Sequence, residues 1–140
     1  MSLATAHPYH GLADIVVGSS AICTVGKEGL GLSYRGYAIE ELAAQASFEE
    51  VAYLLLHGEL PTRPQLHDFI DALIGLRAIP TTLKILLETI PAQAHPMDVL
   101  RSACSLLGSL EPEQDFSQQL QVSYRLLAIL PAVLIYWYRY

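Results

Sequence analysis

The chain has 140 residues, a net charge of −6 and only eight Lys and Arg residues. It therefore lacks the clustered basic surface that nucleic-acid backbones require, which excludes that class of partner. Hydrophobic residues make up 52% and charged residues 16%, where soluble domains carry about one-quarter charged residues. So few charges leave part of the surface to self-association or to contact with further chain.

The first residues, 1–13, read as a flexible lead-in. They have neither the basic start nor the apolar centre of a signal peptide. Residues 14–37 have a different texture. Ile15, Val16, Val17, Ile22, Cys23, Thr24 and Val25 are β-formers, Gly26 to Gly29 reads as a turn, and Leu32 and Tyr34 alternate on the return. A small β-hairpin is expected here. Gly26, Gly29 and Gly31 serve that turn, since no helix follows them directly as a dinucleotide fingerprint requires.

From residue 38 to 140 the pattern is helical. Ile39 to Ala46 forms a short helix. Ser47 to Leu66 then encodes two helices and the corner between them. Ser47 and Glu50 are spaced for a capping box, with Phe48, Val51, Ala52, Leu55 and Leu56 on one apolar face. Gly58 suits the left-handed residue that ends a helix. Thr62 and Gln65 repeat the capping pattern, with Pro64 in the first turn, where its missing N–H is harmless. The next apolar stripe is Phe69, Ile70, Leu73 and Leu76, ending near Arg77. Leu83, Leu86, Leu87 and Ile90 form another, closed by Pro91.

Pro96 opens a further helix, in which Met97, Leu100, Cys104 and Leu107 are expected inward and Gly108 is expected to cap the end. Glu111 to Asp115 is a polar connection. The last helix, from about Phe116, begins with Leu120, Tyr124 and Leu127 on one side. From Leu130 to Tyr138 it is apolar all round, with a break or kink expected at Pro131. A helix apolar on every face belongs inside a larger body, so the chain is expected to be a piece of a longer protein, truncated at 140. The uncharged run Leu126 to Tyr138 falls short of the roughly 20 residues of a membrane span, and no membrane role is expected.

Chemistry is sparse. Cys23 and Cys104 have apolar neighbours and read as small core residues in a reducing, cytoplasmic compartment. There is no CxxC and no His/Cys cluster, so no metal is expected. His57 suits the negative end of a helix dipole, His67 a polar face and His95 a helix start. Glu40, Glu41, Glu49 and Glu50 are consecutive pairs that point apart. Arg35, Arg63, Arg77 and Arg101 read as surface ion-pairing residues, and Tyr136, Trp137, Tyr138 and Tyr140 as core or interface. The residues themselves yield a mainly helical framework with no catalytic, cofactor-binding or metal-binding residue.

Several phrases, in order, resemble the N-terminal third of the citrate synthase family, most closely its 2-methylcitrate synthase branch. They are Ala21 to Lys27, Tyr34-Arg35-Gly36-Tyr37 with Ile39 to Leu42, Ser47 to Leu55, Gly58 to Thr62, His95 to Arg101 with Leu107-Gly108, and Tyr136-Trp137-Tyr138. The resemblance covers about residues 12 to 140. It implies a helical-bundle portion of the family's large domain, preceded by the small hairpin. It also implies a homodimer that condenses propionyl-CoA or acetyl-CoA with oxaloacetate, using one aspartate, two histidines and no metal.

In the family those histidines lie in His-Gly-Gly and Gly-His-Pro motifs, and this chain contains neither. His95-Pro96 follows Ala94 and matches a structural His-Pro-Met segment instead. The oxaloacetate-gripping arginines belong to the portion not covered. The resemblance therefore implies a fragment that is inactive alone, with acyl-CoA only as the complete enzyme's co-substrate. Its expected partners are a second copy, through apolar helices, or a full-length homologue. The alternatives are a helical self-association module and a truncated gene product without a function.

Overall fold

The computed structural model describes residues 18–24 and 31–140. The lead-in, the β-formers Ile15 to Val17 and the glycine turn Gly26 to Gly29 lie outside the described residues. What is described of the β region is a three-stranded antiparallel sheet in chain order: β1 (Cys23–Thr24), β2 (Ser33–Tyr34) and β3 (Tyr37–Ala38). Cys23 faces Tyr34 across the first pair, and Tyr34 faces Tyr37 across the second. The third strand extends the expected hairpin. Arg35 and Gly36 turn the chain with φ of 49° and 91°, the two positive values of the tight turn that matches strand twist. An arginine in the first of those positions is a weak turn signal, which hid β3 from the sequence.

Six helices follow: α1 (Ile39–Gln45), α2 (Phe48–His57), α3 (Arg63–Gly75), α4 (Thr81–Thr89), α5 (Pro96–Leu110) and α6 (Gln119–Arg139). A 3-10 turn, Phe116–Gln118, leads into α6. Local chemistry sets most of these boundaries. Ser47 Oγ accepts from the Glu50 N–H at 3.2 Å, and Glu50 Oε2 accepts from the Ser47 N–H at 2.7 Å, closing the expected capping box. Gly58 ends α2 at φ 92°, where an L side chain would be strained. Gln65 Oε1 accepts from both the N–H and the hydroxyl of Thr62, holding the start of α3.

The long helix α6 packs against α3, α4 and α5, while α2 packs on α3. Two cores result. One joins Leu83 and Leu87 of α4, Val99, Ala103 and Leu107 of α5, and Ile129 and Val133 of α6. The other joins Ala52 and Tyr53 of α2, Phe69 and Leu73 of α3, and Ala128 of α6. The adjacent residues Ala128 and Ile129 thus serve different cores. Beyond them the helix contributes only to the first core, and Ile135 and Tyr138 on its other faces are exposed. The stretch Phe116–Arg139 is long and apolar enough to cross a membrane by length and composition. Only 17% of that apolar window is buried here, and α6 contributes buried residues to both clusters. It runs through Pro131 as one helix, so of the expected break or kink the break is not seen.

Other expectations are corrected by packing. In α2 the buried residues are Ala52, Tyr53 and Leu54, whereas Phe48 is 65% exposed. In α5 they are Val99, Ala103 and Leu107, whereas Met97 is 63% exposed and Cys104 faces outward. The stripe is rotated because α4 and α6 settle on the small Ala103, which a reading weighted toward bulky side chains passes over. Gly108 does not cap α5, which continues to Leu110 and ends at Glu111. Cys23 is exposed as well, so neither cysteine is a core residue.

Candidate functional site

The three histidines among the described residues are engaged separately. His57, at the end of α2, stacks on Tyr53 with ring centroids 4.1 Å apart. Its Nε2 lies 2.6 Å from the Tyr124 hydroxyl on α6. Phe69 of α3 meets the Tyr124 ring edge-on at 4.9 Å and Tyr53 at 5.5 Å. Burial pushes the Tyr124 hydroxyl above its ordinary pKa, and the neighbouring Tyr53 adds to the shift. This aromatic knot ties three helices together, a role beyond the expected dipole contact. His67 pairs with Asp71 at 3.4 Å in solvent. His95 caps α5, its Nδ1 accepting from the Met97 N–H at 3.2 Å.

The expected cations have mostly modest roles. Arg101 pairs with Asp98 at 3.1 Å on the surface, and Arg63 and Arg77 are exposed. Arg35 is different. Its guanidinium donates to the Leu55 carbonyl at 3.1 Å and to the Ala21 carbonyl at 3.5 Å, tying the sheet to α2. Its buried Nε has no hydrogen-bond partner among the described residues. Glu40, Glu41 and Glu49 sit in first turns, where carboxylates suit the helix dipole.

The residue that sequence reasoning missed is Arg125. From α6 it donates to both carboxylate oxygens of Glu111, at 2.9 and 2.7 Å, and to the carbonyls of Leu76 and Ala78. Those hydrogen bonds, together with its charge, hold the Glu111 carboxyl below its ordinary pKa against the opposing effect of burial. Arg125 therefore locks the ends of α3 and α5 onto α6. The available signal was a lone cation inside an apolar helix, which must find a partner when it is buried.

The terminal aromatics divide. Tyr136 donates to Glu88 at 2.6 Å, an interaction that raises the Tyr136 pKa, and Trp137 reaches the Ile90 carbonyl at 3.4 Å. Tyr138 and Tyr140 stay exposed. Among the described residues, no three His, Cys, Asp or Glu side chains converge as metal ligands. None of the contacts above forms a nucleophile–base–acid array of the kind that supports covalent catalysis.

Two concavities remain close to these features. One, of about 520 Å³, adjoins Arg125 and includes Cys104, Glu113, Gln118 and Gln121. Its cation is already paired with Glu111. The other, also of about 520 Å³, is an apolar groove between α2 and α6. Phe48, Val51 and Leu55 form one wall, and Leu126, Leu130 and Pro131 the other. The apolar face expected on α2 is thus the wall of an open groove, with Ala52 buried at its base. The one hydroxyl in its lining, Ser123, donates to the Gln119 carbonyl at 2.8 Å.

The family profile described as "Citrate synthase, C-terminal domain" matches residues 11–140. The 2-methylcitrate synthase of Shewanella oneidensis is 54% identical over 130 residues, which are 93% of this chain and 35% of that enzyme. The citrate synthase of Mycolicibacterium smegmatis is 44% identical over 128 residues, 89% of this chain and 34% of that enzyme. Among solved structures, citrate synthase from Thermotoga maritima superposes with a TM-score of 0.81 at 30% identity, covering 96% of this chain and 35% of that one. The citrate synthase from Pyrobaculum aerophilum gives 0.76 at 32% identity, covering 93% and 35%. The chain spans about a third of the length of these relatives.

Proposed function

We propose, for a chain that belongs to the citrate synthase family, that these residues form the helical frame of a 2-methylcitrate synthase and supply no catalytic group themselves. The observation that carries the finer assignment is the 54% identity to the Shewanella oneidensis enzyme, against 44% to the Mycolicibacterium smegmatis citrate synthase. In this reading the complete fold condenses propionyl-CoA with oxaloacetate. Acyl-CoA is a co-substrate, and no cofactor or metal is held by these residues. The frame reading is supported by the described histidines, since His57, His67 and His95 are occupied by tyrosine, aspartate and a helix cap respectively. General acid–base catalysis needs such groups aimed at a shared point. The reading places the protein in a reducing cytoplasm, consistent with two free cysteines.

Two assays test it. The purified chain, supplied with propionyl-CoA or acetyl-CoA, is expected to release no CoA in response to oxaloacetate. A chimera in which this chain replaces its matched segment of the Shewanella oneidensis enzyme is expected to turn over, with propionyl-CoA preferred. Turnover by the chain alone, or a folded chimera that prefers acetyl-CoA, overturns the assignment.

A second reading is a helical module that associates with itself as a dimer or with a full-length homologue. It is favoured by the exposed Ile135 and Tyr138, which line one apolar concavity with Leu134 and Trp137 at the end of α6, since exposed apolar patches mark interfaces. Light scattering at micromolar concentration is expected to give a mass above 15.4 kDa. A clean monomer removes this reading.

A further inference from the structure

No further inference is drawn: the strongest candidate, the mixed polar and apolar concavity of about 520 Å³ between α5 and α6 beside Arg125, carries nothing, because its cation is spent on Glu111 and on the Leu76 and Ala78 carbonyls and nothing in the structure shows what the remaining Glu113, Gln118 and Gln121 side chains would hold.

Discussion

The Nε2 of His57 lies 2.6 Å from the hydroxyl of Tyr124, a residue 67 positions later in the chain. This single contact joins the end of α2 to α6 beside the groove, with Tyr53 stacked beneath the imidazole. The frame at this point is held by a polar link set among aromatic rings.

Tyr124→Phe keeps the ring packing and removes the link. It is expected to cost about 1 kcal/mol, the net value of one such hydrogen bond. His57→Ala costs more, because the stack on Tyr53 goes too. In a double-mutant cycle followed by urea unfolding, the two changes are expected to couple by about 1 kcal/mol. Simple additivity would show that the contact contributes nothing.

Arg125→Met is expected to destabilise by about 3 kcal/mol, because it leaves the Leu76 and Ala78 carbonyls and Glu111 without their donor. The Glu111 carboxyl is held below its ordinary value of 4.5. Above that value Glu111 is ionised in both the folded and the unfolded chain, and the ion pair contributes fully. As pH falls through the lowered folded value the contribution is lost. Thermal melts of the parent and of Glu111→Gln, taken from pH 6 downward, are therefore expected to converge in acid. Parallel curves would contradict this account of the pair.

Glycine to alanine should change sign with position. Gly58 has φ 92° and nothing within 4 Å of an added Cβ, so Gly58→Ala carries a backbone penalty alone, about 1–2 kcal/mol. Gly108 lies inside α5, also with open space around it. Gly108→Ala is expected to stabilise by about 0.5–1 kcal/mol. If Gly108 were the cap of α5, its replacement would destabilise as well, and chemical denaturation separates the two outcomes.

The corrected face of α5 can be measured in the same way. Val99 is fully buried and Met97 is 63% exposed. Val99→Ala is expected to cost about 2 kcal/mol through lost burial and a residual cavity. Met97→Ala should stay within about 0.5 kcal/mol of the parent. The reverse order would restore the stripe expected from Met97, Leu100, Cys104 and Leu107.

The sequence alone determined where α2, α3 and α5 start and where α2 stops, but not where α5 ends. Ser47 with Glu50, Gly58, Thr62 with Gln65, and Pro96 act over three or four residues, so their meaning is present in any short window. It also determined the family, because phrases such as Tyr34 to Tyr37 and His95 to Arg101 occur in a specific order. Only the tertiary structure decided which side of each helix is covered. That depends on elements 40 or more residues away, as Arg125 with Leu76 and Tyr136 with Glu88 illustrate. The apolar stripe of α2 was visible from its spacing, but its fate as a groove wall was not, since periodicity registers an apolar face without registering the neighbour that covers it.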